Sequence, residues 1–193
     1  MDYTFKKRIE QFQRTVESIE ITDIKSYKLF IEDGISKVCA LLTKIRRVKG
    51  NIYIIGNGGS ASIASHAVVD FMNVAKLSAH TLHDSAVLTC MANDYGYENS
   101  FSSILKTVVK ENDLLIAISS SGQSKNIINA VKIAKENGIV VITLSGFSSE
   151  NGLRSSGDIN FWSNSSDYGM VEISHQFILH NIADRFNQNS GVN

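Results

Sequence analysis

A chain of 193 residues with 43% apolar and 20% charged side chains is long enough for one domain and too apolar to be disordered. Lys plus Arg equal Asp plus Glu at 19 each, and this neutral balance gives no overall field for a nucleic acid or an anionic membrane. No apolar run approaches the roughly 18 residues of a membrane helix. We therefore expect neither a nucleic acid nor a membrane among the partners.

Two helices are predicted ahead of the first strand. Apolar residues recur at spacings of three and four over residues 3–20 and 24–48. Thr22 or Asp23, between these segments, is expected to cap the second helix. Their apolar stripes exceed what covering a sheet requires, so we expect the helical extension over residues 1–48 to take part in oligomerisation.

The pattern changes at residue 51, where strands and helices begin to alternate. Strands are predicted at NIYII, LTCMAND, DLLIAIS, IVVITLSG and DINFWS, and helices at 60–73, SFSSILKTVVK, SKNIINAVKIAKENG and 169–187. Strands that are apolar on both faces are typical of a parallel sheet covered by helices on both sides. We expect one domain over residues 1–193, with a three-layer α/β core at 49–193.

The cysteines and the first residues indicate the cellular compartment. Cys39 lies in VCALL and Cys90 in VLTCMA, and both are predicted to be small core residues. Unpaired thiols are typical of a reducing environment. The first residues also lack the apolar segment of a secretory signal, so the sequence predicts a cytoplasmic protein.

The glycine-rich loop at residues 56–60, GNGGS, is a candidate phosphate site. It lies between a predicted strand and a predicted helix, where glycines allow close backbone approach and the helix start attracts anions. With Ala61 it also fits a relaxed dinucleotide fingerprint, but the acidic residue expected about 20 positions later is missing. The lysine of a P-loop is missing too. A tight strand-to-helix turn without a ligand remains the simpler alternative.

A second loop, SSSGQS at residues 119–124, has the same position after another strand. Four hydroxyls and a fresh set of helix N–H groups meet there, at the edge of the sheet where α/β proteins bind ligands. Hydroxyls and amides can hold a phosphate without a fixed cation, although a serine-rich capping turn would look the same.

Three motifs together resemble a sugar isomerase (SIS) domain, and most closely the phosphoheptose isomerases. They are GNGGSA with a following His, ANDYGYE and ISSSGQSKN, and the resemblance extends from about Tyr3 to Phe186. It implies a five-stranded parallel sheet flanked by helices, a homotetramer, and active sites shared between neighbouring subunits. It also implies conversion of sedoheptulose 7-phosphate into a heptose 7-phosphate for bacterial lipopolysaccharide or capsule.

The resemblance further implies which residues contact the sugar phosphate. The matching positions are Asn57, Gly58, Gly59, Ser60, Asn93, Asp94, Ser119, Ser120, Ser121, Ser124 and Glu172. For Asn93 and Asp94, which follow LTCMA, an ordinary turn at the end of a strand is the alternative.

Catalytic and metal-binding residues are expected on two helices. His66 and Asp70 lie four residues apart and so share a helix face. By resemblance Asp70 is the base, His180 its acid–base partner, and His66, Asp70, Glu172 and His180 form a zinc set. The family usually has Glu at the position of Asp70, Gln at Glu172 and an Asp at Gly169.

The proposed metal set has one geometric difficulty. Glu172 and His180 lie eight residues apart, a rise of about 12 Å on a regular helix, so one ion would need both side chains to lean together. The alternative function is a non-catalytic SIS protein that binds a sugar phosphate or a replication initiator. The presence of His66, Asp70 and His180 together favours catalysis, because a scaffold would not need them.

Overall fold

The computed structural model describes residues 3–190, and every element below belongs to that part of the chain. The helices are α1 (Phe5–Glu17), α2 (Ile31–Val48), α3 (Gly59–Asn73), α4 (Ser85–Tyr95), α5 (Ser100–Val108), α6 (Lys125–Glu136) and α7 (Tyr168–Ser190). The strands are β1 (Glu20–Asp23), β2 (Lys28–Leu29), β3 (Ile52–Ile55), β4 (Ala79–Thr81), β5 (Leu114–Ser119), β6 (Val140–Ser145) and β7 (Ile159–Trp162). None of the helices within residues 3–190 is both long and apolar enough to cross a membrane.

The strands form one sheet in the order β2, β1, β7, β6, β5, β3, β4. The five strands from β3 to β7 run parallel, whereas β1 pairs antiparallel with both β7 and β2. Strand β5 is buried at every residue, and its Ile116 pairs with Ile54 on one side and Ile142 on the other. A strand that is apolar on both faces must be covered twice, so helices lie on both sides of it.

Successive residues of each central strand enter two separate cores. Ile54 and Ile116 pack in a core with side chains of α2, α3 and α7. Tyr53 and Leu115 point to the opposite face, where α5 and α6 complete the second core. Because strand side chains alternate between faces, each short strand stabilises both layers. The predicted three-layer α/β architecture with five parallel strands is thus confirmed.

The sheet gains two strands that the sequence analysis did not predict. Residues 20 and 24–29 were expected in the helices 3–20 and 24–48, with 21–23 between them. The segment instead forms β1 and β2, so the sheet has seven strands. Ile21 is almost fully buried and pairs with Phe161 of β7. Pairing with the open edge of β7 satisfies the backbone groups of this segment and outweighs its helix-like apolar spacing.

Asp23 forms the turn between these two strands. Its carboxylate accepts hydrogen bonds from the backbone N–H groups of Lys25 and Tyr27. The expectation that Thr22 or Asp23 caps a helix is therefore wrong, because Asp also closes turns by bonding to the backbone two residues ahead. The helix that follows begins only at Ile31.

The second parallel strand also differs from the prediction. It is β4, whereas LTCMAND lies in α4, whose start is capped by Asp84 accepting from the N–H of Val87. Asn93 and Asp94 are consequently helical and do not end a strand. Cys90, predicted to be a core residue, is exposed, whereas Cys39 is buried as expected. The capping aspartate was the available signal, and the short apolar run after it was misread as a strand.

Helix α1 is attached to the start and middle of α7. Arg8 forms an ion pair with Asp167 at 2.6 Å, and the pKa of Asp167 lies below its usual range chiefly because of this bond. Phe12 packs edge-to-face on Phe177 with ring centroids 6.2 Å apart. These contacts place the N-terminal helix beside the helix that carries Glu172 and His180.

The parallel strands place two loops at one edge of the sheet. The loop after β3 leads into α3 at Gly59, and the loop after neighbouring β5 leads into α6 at Lys125. Carboxyl ends of parallel strands share an edge, and ligands bind outside that edge in open α/β sheets. The fold therefore brings the glycine loop and the serine loop together.

Candidate active site

The two loops line one cavity of about 270 Å³. Among the predicted substrate-contacting residues, those that line it are Asn57, Gly58, Gly59, Ser60, Ser119, Ser120, Ser121, Ser124 and Glu172. Tyr168, at the start of α7, also lines it. A cavity of this size rich in hydroxyls and backbone N–H groups suits the phosphate end of a small ester.

Two glycines of the first loop are required by its geometry. A Cβ at Gly56 would lie 2.6 Å from backbone atoms of Ser60, which is too close for any side chain. Gly58 has a φ of 53° and a ψ of −122°, a conformation that residues with a Cβ rarely adopt. This compact turn directs the first N–H groups of α3 toward the cavity.

His83 supports the glycine loop from behind, although the sequence analysis assigned it no role. Its Nε2 accepts the N–H of Gly56 at 3.3 Å, and its ring packs edge-on against Phe101. Burial lowers the pKa of His83, and the bond from Gly56 offsets part of this effect. The imidazole is thus held neutral, in the state that accepts a hydrogen bond.

The serine loop is ordered by its own hydroxyls. Ser119 donates to the hydroxyl of Ser124 at 3.1 Å and accepts the N–H of Gly122 at 3.2 Å. The hydroxyl of Ser120 is buried and makes no hydrogen bond within the described residues. A buried hydroxyl without a partner is costly, so a ligand that bonds to it would gain affinity.

The side chain of Asn57 joins the two loops. It exchanges two hydrogen bonds of 2.9 Å with Asn126 of α6, and its Oδ1 also accepts the hydroxyl of Tyr97 at 2.9 Å. Sequence reasoning did not single out Asn126 or Tyr97, although both lie within the quoted motifs. Their hydrogen bonds to Asn57 could not be predicted from the sequence, because only the fold brings these motifs together.

Three predicted residues meet between α3 and α7. The Nδ1 of His180 lies 2.8 Å from Oδ2 of Asp70, and the Nε2 of His66 lies 3.8 Å from the same oxygen. The two imidazole rings are 4.9 Å apart between centroids. The four-residue spacing on α3 places His66 and Asp70 on one helix face, and both meet His180 of α7. The structure thus brings together the carboxylate–histidine pair that the resemblance implied.

These three side chains fit a divalent transition metal. Their ligand atoms all lie within 4.8 Å of one another. Oδ2 of Asp70 is buried, and among the described residues the Nδ1 of His180 and the Nε2 of His66 both approach it. Donor atoms that converge in this way are arranged as metal ligands are, and imidazole with carboxylate suits zinc.

Glu172 does not join this group among the residues that the structure describes. Its carboxylate lies against Gly59, where an added Cβ would come within 2.4 Å of Oε1. A second cavity, of about 530 Å³, shares Glu172 and Gly59 with the first and is also lined by His66, Gln176 and His180. The Nε2 of Gln176 is buried there without a hydrogen-bond partner. Glu172 therefore links the phosphate end of the site to the histidines.

Asn93 and Asp94 are not among the residues that line these two cavities. The amide of Asn93 donates to Asp94 at 2.9 Å, and the Cys90 thiol contacts the same carboxylate at 3.6 Å. All three are exposed on α4, a helix with no fully buried residue. The other nine predicted substrate residues line the first cavity, and the role of Asn93 and Asp94 stays a prediction.

The SIS domain family matches residues 23–146 of the chain. A phosphoheptose isomerase of Campylobacter concisus is 35% identical over 151 residues, which cover 75% of this chain and 79% of that protein. Phosphoheptose isomerase 1 of Campylobacter jejuni is 31% identical over 183 residues, which cover 92% and 93%. The structure of a phosphoheptose isomerase from Francisella tularensis has a TM-score of 0.81 and 26% identity, over 95% of this chain and 94% of that one.

The five parallel strands, the two loops at their carboxyl edge and the match over 23–146 define a SIS domain. Within that family the chain belongs to the phosphoheptose isomerases, because such relatives match most of its length and most of their own. The resemblance of the three motifs to the phosphoheptose isomerases is therefore confirmed, and the protein is an isomerase.

Proposed function

We propose that this enzyme converts sedoheptulose 7-phosphate into D-glycero-D-manno-heptose 7-phosphate, for the heptose of bacterial lipopolysaccharide or capsule. The observation that carries the proposal is the 2.8 Å approach of Asp70 to His180, beside a cavity lined by the serine loop. The names of its relatives support a phosphorylated heptose as substrate. A pure binding protein would not need an acid and an imidazole in contact, which favours catalysis over the non-catalytic alternative.

The proposed reaction moves one proton between neighbouring carbons and one between their oxygens. Asp70 removes a proton from C1 of the open-chain ketose, which forms an enediol, and then returns a proton to C2. His180 gives a proton to O2 and accepts the one that leaves O1, so that an aldehyde forms at C1. The serine loop and the start of α3 hold the phosphate throughout, which keeps C1 and C2 near Asp70.

We further propose that His66, Asp70 and His180 hold a zinc ion. The buried Oδ2 of Asp70 beside two imidazole nitrogens supports this, as does the convergence of the three donor atoms within 4.8 Å. When bound, such an ion supplies polarisation of the sugar oxygens and stabilises negative charge on the enediolate. Glu172, which the resemblance includes in the zinc set, is instead proposed to contact the substrate between the two cavities.

The homotetramer and the cytoplasmic location are part of the same proposal. Large apolar side chains such as Phe5 on α1 and Phe30 before α2 are more than four-fifths exposed, which supports burial against other copies. Cys39 and Cys90 are both free, which suits a reducing compartment.

Isomerisation in deuterium oxide tests the proposed reaction. Incubation with sedoheptulose 7-phosphate should yield an aldose that carries deuterium at C2, because the base exchanges its proton with solvent before returning it. Product without deuterium would exclude Asp70 as an exchanging base. Absence of product, with the sugar phosphate still bound, would support the alternative of a non-catalytic protein that binds a sugar phosphate. Repeating the assay after chelation, with metal content measured in parallel, tests the zinc site separately.

A further inference from the structure

We propose that Asn126 and Tyr97 are positioning residues that act through Asn57 to fix the spacing of the two loops, and so set the affinity for the phosphate group. The amides of Asn57 and Asn126 bond to each other and so join the loop after β3 to the first turn of α6. The hydroxyl of Tyr97 bonds to the amide of Asn57 as well. The inference rests on the proposed function only in taking the phosphate of a sugar as the natural ligand.

The hydrogen bonds of Asn57 show why its side chain is a link. Oδ1 accepts from both Asn126 and Tyr97, and Nδ2 donates to Asn126. An amide oxygen has two acceptor sites, so this one is fully used. Asn57 therefore has little side-chain capacity left for a ligand, and its contribution to phosphate binding comes from the backbone of the loop.

Asn126 is held as firmly as its partner. It is 2% exposed, and its Oδ1 accepts the N–H of Ile127 at 3.0 Å in addition to the amide of Asn57. Because Asn126 is buried, losing Asn57 would leave its amide unsatisfied, which costs more than the bond itself contributes. The pair therefore strongly favours one separation of the loops that it joins.

Tyr97 adds a third point of attachment from outside the sheet. Its ring is half exposed, yet its hydroxyl reaches Asn57 from the turn at Tyr97–Asn99. That turn is fastened to α6 independently, since Asn129 donates to the backbone oxygen of Glu98. The turn thus keeps its place on α6 whether or not the phenol bonds to Asn57.

The test measures the Kd of inorganic phosphate by calorimetry, together with KM and kcat for the sugar phosphate. Asn126→Leu should raise both the Kd of phosphate and KM by about tenfold. Tyr97→Phe should raise both by about twofold. These factors follow from the usual free energies of such hydrogen bonds. The kcat of both variants should stay within about twofold of the parent, because neither residue reaches Asp70 or His180. Asn129→Ala is the matched control, since it removes two other hydrogen bonds between α6 and the same turn, and it should leave the Kd unchanged.

A double-mutant cycle separates positioning from general loosening. If Asn126 acts through Asn57, Asn57→Ala with Asn126→Leu should weaken phosphate binding no more than Asn57→Ala alone. Additive effects, or an equal loss in Asn129→Ala, would overturn the inference. If Asn126→Leu does not fold, Tyr97→Phe decides, and an unchanged Kd for phosphate would overturn it.

Wild-type protein that fails to bind inorganic phosphate would also overturn the inference. Phosphate binding that is retained without any isomerisation would instead overturn only the proposed function.

Discussion

Asp70 is the side chain whose replacement should separate chemistry from binding. Asp70→Asn keeps the size of the group but removes its basicity, so we expect kcat to fall by a factor of about 10² to 10⁴. The Kd of inorganic phosphate should not change, because Asp70 is not part of the serine loop that is proposed to hold the phosphate. Steady-state kinetics and calorimetry measure the two effects. Turnover equal to wild type would remove Asp70 as the base.

Asp70→Glu tests whether the short carboxylate is matched to its surroundings. The family usually has Glu here, but in this chain Asp70 already lies 2.8 Å from His180. An extra methylene would shift the carboxylate by about 1 Å, and displacements of that order can cost roughly a hundredfold in rate. We therefore expect Asp70→Glu to lower kcat, and a rate at or above the parent value would contradict this.

His175 gives stability a specific pH dependence. It is fully buried, and desolvation lowers its pKa from 6.5 to about 4, although its bond to the Ser145 carbonyl opposes this. The unfolded chain therefore binds the proton first as the pH falls. The stability that depends on neutral His175 is complete above pH 6.5 and is lost progressively toward pH 4, by about 3 kcal/mol in all.

Urea unfolding at several pH values between 7.5 and 4.5 measures this loss. His175→Gln should flatten the dependence in that window even if the variant is less stable at neutral pH. His80→Gln, at an exposed position, is the control and should follow the wild-type curve. The Arg8–Asp167 pair, which lowers the pKa of Asp167, acts only at more acid pH. An unchanged slope in His175→Gln would show that other groups cause the acid sensitivity.

The turn from β3 into α3 shapes both the fold and the site, and its Gly56 can be compared with Gly138, which lies after α6. Gly56→Ala would force the start of α3 to move, because its Cβ meets the backbone of Ser60. We expect it to weaken phosphate binding at least tenfold and to lower stability. Gly138→Ala places a Cβ in open space at a φ of 70° and should cost about 1 kcal/mol without affecting phosphate binding. Equal effects of the two substitutions on the Kd would contradict this argument.

The elements that sequence predicts well are those whose pattern has only one explanation. Strands β3, β5 and β6 are apolar on both faces and end in Gly or Ser loops, so their place in a parallel sheet could be read directly. Residues 20–29 and LTCMAND were assigned wrongly, because their state depends on partners far along the chain or on one capping aspartate.

The candidate site also has some contacts that could be predicted from the sequence and others that could not. The serine loop and the pair of His66 and Asp70 are local in sequence, so spacing alone indicated that their members lie together. Asn57 with Asn126 is a contact between two loops, and nothing in either loop specifies it. The resemblance assigned Asn93 and Asp94 to the site, but it could not reveal that they lie on the helix α4.

Exposed apolar side chains support the proposed assembly of several subunits. Phe5 is 82% and Phe30 84% exposed, and Ile9 continues the apolar side of α1 into solvent. Burying such groups contributes about 25 cal/mol for each Å² removed from water, which is enough to drive association when several are combined. The proposed tetramer uses this N-terminal region, as its apolar stripe predicts.

Sedimentation velocity measures the assembly directly. Wild-type protein should sediment as a tetramer, whereas Phe5→Asp with Phe30→Asp should yield smaller species, because a buried carboxylate without a partner strongly opposes association. Lys6→Asp, an exposed change of charge on the same helix, is the matched control and should remain tetrameric. If subunits share active sites, the dissociated double variant should also lose turnover while its circular dichroism stays native. Wild-type protein that sediments as a monomer, or a double variant that stays tetrameric, would contradict the role of the N-terminal region.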